Sequence, residues 1–214
     1  ESREKAQALI LSGNVLVDDE PCTKAGAKFS INGIEVRIRG ETKTFVSRGA
    51  YKLLAALESF GLKSQLNGTT ALDVGASTGG FTQVLLESGV AKVYAVDVGT
   101  NQMDHKIRRD PRVVVQERTN ARNLKFEDVG QKVDTLVVDV SFISLAKIVP
   151  ALLQFSNPET NWITLIKPQF EAGPGQSDEG IIRDLELRKK TVDRVIAELE
   201  SLGLKHLGLI ESPI

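Results

Sequence analysis

Lys167 directly follows the apolar run at 162–166 and precedes Pro168, while Asp139 directly follows Leu136-Val137-Val138. A charge at the tip of a buried strand is costly unless it is paired or used. If both runs are strands of one parallel sheet, the two charges share its carboxyl edge, where open α/β sheets bind ligands. The structural reading is an ion pair. The chemical reading is a lysine held beside a carboxylate, able to take a proton from a weakly acidic hydroxyl. Lys52, on the helix ahead of the first strand, is a further candidate for the same crevice, though the sequence alone does not place it there.

The sharpest motif is Leu72-Asp73-Val74-Gly75-Ala76-Ser77-Thr78-Gly79-Gly80-Phe81, where a strand runs into a helix. Gly75, Gly79 and Gly80 let a backbone approach a ligand closely. Ser77 occupies the middle glycine position of the dinucleotide fingerprint, and Asp73 would repel a pyrophosphate, so an NAD-dependent dehydrogenase is disfavoured. A carboxylate there suits the cationic end of an amino-acid-like ligand. The next strand ends at Asp97, placed to accept both hydroxyls of a ribose. A nucleoside with a cationic end and no phosphates is S-adenosylmethionine.

The elements that must position these groups follow from periodicity. Residues 48–60 read as an amphipathic helix with Leu53, Leu54, Leu57 and Phe60 inward, ended by Gly61. Strands are expected at 71–74, 92–96, 113–115, 135–138, 162–166 and 205–210, and helices at 80–87, 145–153 and 184–202. Near-continuous apolar strands alternating with helices imply a mainly parallel sheet covered on both faces, a Rossmann-like α/β fold. Ahead of it, residues 2–12 read as a helix stopped by Gly13, and Val15 and Val17 mark a strand. Two more strands, 28–31 and 34–38, are joined by an Asn32-Gly33 hairpin signal.

Composition sets limits. The 214-residue chain is 41% hydrophobic and 26% charged, ordinary for a globular protein, and its net charge of −1 gives no overall basic field for nucleic acid. Cys22 is the single cysteine, so an internal disulfide or a zinc cluster built on cysteines is excluded. Cytoplasmic residence is the expectation. No apolar run approaches the roughly 18–20 residues that span a bilayer. No metal is expected, and His105 and His206 are isolated in sequence.

Ser47-Arg48-Gly49-Ala50-Tyr51-Lys52-Leu53, the 73–81 loop, Asp139-Val140-Ser141-Phe142-Ile143, Lys167-Pro168-Gln169-Phe170-Glu171 and Gly180-Ile181-Ile182-Arg183-Asp184 together resemble the TlyA, or hemolysin A, family. These are FtsJ-like ribose 2′-O-methyltransferases of ribosomal RNA. The resemblance implies a Rossmann-like S-adenosylmethionine-dependent methyltransferase domain over 44–214. It further implies a partial S4 RNA-binding α+β module with linker over 1–43, and ribosomal RNA or ribosomal subunits as partner, with a cytidine as target. Lys52, Asp139 and Lys167 match three members of the family's Lys-Asp-Lys-Glu set. The fourth has no match, Glu211 falling too early, so the chain is expected to be trimmed at both ends. The expected cofactor contacts are Asp73, Gly75, Ser77, Gly79, Gly80, Phe81, Asp97 and Asp139, with Asn120 near the adenine. Two other readings remain open: a non-catalytic RNA-binding or ribosome-assembly factor, and a pore-forming hemolysin, for which no strong amphipathic membrane element is seen.

Overall fold

The computed structural model describes residues 3–18, 20–29, 36–38, 45–172 and 182–214. Contacts divide the chain into two compact units, Glu1–Thr44 and Phe45–Ile214.

The first unit holds helix α1 (Arg3–Leu11) and strands β1 (Val15–Val17), β2 (Glu20–Cys22) and β3 (Val36–Ile38). They form an antiparallel sheet in the order β2-β1-β3, with Leu16 and Val17 buried. β2 was not among the strands expected from the sequence. Pro21 pairs with Leu16 from an edge strand, where its missing N–H need not disturb a ladder. Lys28 and Phe29 are not strand residues, and the Asn32-Gly33 hairpin lies outside the described residues.

The second unit is built on five parallel strands: β4 (Thr70–Val74), β5 (Lys92–Val96), β6 (Val113–Gln116), β7 (Thr135–Val138) and β8 (Asn161–Thr164). Their order is β6-β5-β4-β7-β8, so β4 lies at the centre. Strand alternation sends Leu72, Val74, Tyr94, Val96, Leu136 and Val138 to one face. There they pack with α5 (Phe126–Val129), α6 (Val149–Leu152) and α8 (Leu185–Ser201). Ala71, Val93, Ala95 and Val137 face the opposite core with α2 (Ala50–Ser59) and α3 (Gly80–Glu87). Burial on both faces explains why the central strands read as continuous apolar runs. Each fully buried leucine, such as Leu57, Leu85 or Leu136, contributes about 2 kcal/mol of transfer free energy.

Four expectations are corrected. Phe60 is 37% exposed and so does not lie inward with Leu53 and Leu57. Helix α2 ends one residue before it, and Gly61 closes the turn at φ +65°. The helix expected over 145–153 is broken into a 3₁₀ turn at Leu145–Lys147, α6, and a 3₁₀ turn at Leu153–Phe155. Pro150 has no N–H for a bond back to the preceding turn, so the helix restarts at Val149. The strand expected at 162–166 is β8, which stops at Thr164. Residues 205–210 form no strand. They line, with Trp162 and Leu165, a cavity of about 780 Å³.

Candidate functional site

The carboxyl edge of the sheet gathers the charged residues singled out in the sequence. The ladder between β4 and β7 continues past the strand as Asp139 donates its N–H to Val74 O (3.0 Å). That between β7 and β8 continues as Leu165 donates to Val138 O (2.9 Å). Both extensions fix where the two loops leave the sheet, with Lys167 at the start of α7 (Pro168–Glu171).

The side chains meet there. Asp139 Oδ1 lies 2.6 Å from Lys167 Nζ, and Asp139 Oδ2 accepts a hydrogen bond from Lys52 Nζ at 3.2 Å. The Lys167 contact is an ion pair off the hydrogen-bonding direction of Oδ1; Lys167 donates its hydrogen bond to Ser141 Oγ at 2.8 Å. Side-chain exposures of 21%, 15% and 17% for Lys52, Asp139 and Lys167 keep the triad largely out of water, where Coulomb attraction is strong. It is not sealed, so substrate can approach.

Beside the triad lies the glycine-rich loop. Gly75, Ser77, Gly80, Phe81 and Asp139 line a cleft of about 180 Å³ with Ser47 on its wall. Gly75 sits at φ +86°, and a Cβ there would collide with the Asp139 carbonyl. A Cβ on Gly80 would collide with Ser47 Oγ. The glycines thus serve close packing of the β4 loop against the β7 loop and the approach to α2, as well as any ligand. Lys52 lines the larger cavity and Asp139 the smaller, while Phe81 lines both; Lys167 is in the wall of neither.

Asp73, Gly79, Asp97 and Asn120 are not in the cleft wall. Gly79 caps α3 at φ +92° with Ile107 of α4 (His105–Arg108) packed beneath it. Asp73 is fully buried on the central strand. Its Oδ2 accepts from Thr82 Oγ1 at 2.6 Å, while its Oδ1 has no hydrogen-bond partner. Burial pushes this carboxyl from its ordinary 3.8 to about 7, opposed by the Thr82 hydrogen bond and reinforced by the charges of Asp139 and Asp97. Asp97 accepts from Ser77 N (2.8 Å) through Oδ2 and from Gly99 N (2.7 Å) through Oδ1, tying the glycine loop to the end of β5. Each oxygen retains a lone pair for a hydroxyl. Asn120 accepts from Arg122 N at 3.1 Å, ordering the loop after β6.

Backbone strain marks the same edge. In the second unit the described non-glycine residues at positive φ are Ser77, Asn101, Arg118 and Phe142, in the loops after β4, β5, β6 and β7. Such conformations persist where surroundings enforce them, and they concentrate at functional sites. Phe142 is also 89% exposed and packs on Phe170 with ring centroids 4.8 Å apart. Lys167 Nζ lies 5.9 Å from the Phe170 ring.

Two residues escaped the sequence reading of the site. Ser141 was quoted only as part of a motif. Glu171, buried in α7, accepts from Leu145 N at 2.9 Å and fastens the far end of the loop that begins at Asp139. Its place at the end of the Lys167–Glu171 run was the available signal. Glu211 pairs at 2.6 Å with Arg188 on α8, both exposed, and takes no part in the triad. Among the described residues no group of three metal-ligating side chains converges.

A parallel α/β sheet with a glycine-rich loop after its central strand and charges at neighbouring strand ends defines a ligand-binding enzyme of the doubly wound class. The model of the FtsJ-like methyltransferase family matches residues 45–214, and the chain belongs to that family. It is 44% identical over its whole length to the 16S/23S rRNA (cytidine-2′-O)-methyltransferase TlyA of Mycobacterium tuberculosis (strain ATCC 25618 / H37Rv), covering 79% of that protein. It is 43% identical to the protein named Hemolysin A of Brachyspira hyodysenteriae, covering 88% of it. A solved Streptococcus thermophilus structure bearing the hemolysin name superposes with a TM-score of 0.77 at 40% identity, over all of this chain and 78% of that one. Among the described residues no helix is long and apolar enough to cross a membrane.

Proposed function

We propose that this methyltransferase moves a methyl group from S-adenosylmethionine to a ribose 2′-hydroxyl of ribosomal RNA, with cytidine as the target nucleoside. One observation carries the reading: the Asp139 carboxylate is held between Lys52 Nζ and Lys167 Nζ beside the glycine-rich loop. S-adenosylmethionine, when bound, supplies an electrophilic methyl on a positively charged sulfur. The residues present suit it: the Gly75–Gly80 loop offers close backbone approach, and Asp97 has lone pairs free for ribose hydroxyls. The buried Asp73 has an unpartnered oxygen, and a positive charge nearby would favour its ionised form. Gly79, Phe81 and Asn120 complete the set, Asn120 toward the adenine.

The chain's own task is to activate and aim a poor nucleophile. A ribose hydroxyl must lose its proton during attack, and in-line displacement demands tight positioning. Lys167, in its neutral form, takes that proton. Asp139 orients Lys167 and holds the resulting ammonium, while Lys52 keeps the other carboxylate oxygen in place. The exposed Phe142, packed on the half-buried Phe170 beside the triad, is suited to stacking on an unpaired base. Residues 1–43 act as a partial S4 RNA-binding module, and the protein works where ribosomes are, in the cytoplasm.

Replacing Lys167 with Ala tests the reading. Transfer of labelled methyl groups to ribosomal subunits should be abolished, while calorimetric affinity for S-adenosylmethionine stays nearly intact and NAD does not bind. Normal turnover by this variant would remove Lys167 from the mechanism.

A further inference from the structure

Lys167 Nζ has two partners at bonding distance, Asp139 Oδ1 at 2.6 Å and Ser141 Oγ at 2.8 Å. A neutral amine carries two N–H bonds and one lone pair. To accept a proton it must present that lone pair to the incoming hydroxyl. With the Ser141 hydroxyl alone as acceptor, the amine can rotate about its terminal C–N bond and the lone pair sweeps a cone. The Asp139 carboxylate, in contact on Lys167 Nζ though off the hydrogen-bonding direction, repels the lone pair and narrows that rotation, leaving one sector open for it.

The two partners share one frame. Asp139 and Ser141 are two residues apart on one loop, which is anchored at its start by the Asp139 N–H to Val74 O (3.0 Å) and at its end by Leu145 N to Glu171 (2.9 Å). Phe142, at φ +65°, turns the chain immediately after Ser141.

We propose that Ser141 is a positioning residue, whose hydroxyl together with Asp139 fixes the rotation of the Lys167 amine so that its lone pair faces the ribose hydroxyl. The inference rests on Lys167 being the proton acceptor. In the step, the ribose O–H bond breaks as the third N–H of Lys167 forms. The oxygen's electron pair goes to the methyl carbon, whose bond to sulfur breaks with its electrons left on sulfur. The new ammonium remains beside the Asp139 carboxylate.

Single-turnover methyl transfer to ribosomal RNA is measured for the wild-type chain and for Ser141→Ala, Ser141→Thr and Lys167→Met. Ser141→Ala should slow transfer roughly ten- to hundredfold, as expected when a reacting group loses its aim. KM for RNA and calorimetric affinity for S-adenosylmethionine should stay within about twofold, the mark of an interaction expressed only in the transition state. Ser141→Thr, which keeps the hydroxyl, should restore most of the rate. Three results overturn the proposal: a wild-type rate in Ser141→Ala, no rescue by Ser141→Thr, or cofactor affinity falling in step with rate, which would mean a structural role for the loop. Lys167→Met separates the two levels of inference. Turnover in that variant sinks the proton-acceptor reading itself, whereas an inactive Lys167→Met beside an unaffected Ser141→Ala sinks the role of Ser141 alone.

Discussion

Asp73 sits fully buried in the middle of the sheet with one oxygen bonded to Thr82 and the other unpartnered, and this arrangement dictates a pH dependence of stability. Burial raises its folded-state value to about 7 from an ordinary 3.8, against the Thr82 hydrogen bond and with the help of the Asp139 and Asp97 charges. Below 3.8 the carboxyl is protonated in both folded and unfolded chains, and its stabilising contribution is fully present. As pH rises toward 7 the unfolded chain releases its proton first and is stabilised relative to the folded one. Above 7 both are ionised and the contribution is lost. At ~1.4 kcal/mol for each tenfold change in proton affinity, the swing is about 4 kcal/mol. That is a large part of the 5–15 kcal/mol or so that holds a typical domain folded.

Asp73→Asn removes the titration while preserving shape. Its amide N–H groups, buried without an acceptor, impose a cost of about 1–3 kcal/mol that does not vary with pH. Urea unfolding of both proteins from about pH 4 to pH 8 isolates the effect as a difference, since every other titrating group is common to the two. The variant's stability relative to wild type should climb with pH by about 4 kcal/mol over that range. A difference that is flat, or that falls as pH rises, would refute the claim that a buried, proton-retaining carboxyl occupies the central strand.

Gly75→Ala places a Cβ against the Asp139 carbonyl at φ +86° and should cost at least ~2 kcal/mol in urea unfolding while abolishing calorimetric binding of S-adenosylmethionine. Wild-type values on both counts would show that the β4 and β7 loops do not depend on close contact. Glu171→Ala leaves Leu145 N–H without its acceptor and should cost ~1–3 kcal/mol, whereas Glu171→Gln, whose amide oxygen can accept, should cost less. Equal losses for the two variants would argue against that hydrogen bond as the loop's anchor.

Strands β4, β5 and β7 could be read from the chain almost to the residue, because burial on both faces demands unbroken apolar runs with β-branched residues. The same rule misled at 205–210, where Leu207 and Leu209 alternate as a strand would: patterning reports suitability for a ladder, not the presence of one. β2 was hidden by Pro21, whose tolerance depends on being at a sheet edge, a fact of topology. At the site, residue type and strand-end position pointed to Asp139 and Lys167. The contact between Lys52 and Asp139, 87 positions apart, left no local signal beyond the family resemblance. Asp73 was read as facing a ligand. Its full burial on the central strand, over Thr82, and the raised proton affinity that follows could not be read from the chain.

The sheet's order has a consequence for how the chemistry ages under stress. Asp139 leaves from β7, which is laddered on both flanks, but Lys167 leaves from β8, whose ladder among the described residues is with β7 alone. Free energies of local opening follow such differences, and an edge strand exchanges its amides through smaller excursions than its inner neighbour. The reactive pair therefore joins a residue on a well-protected strand to one on the sheet's margin. Warming or mild denaturant parts the two while the fold still stands.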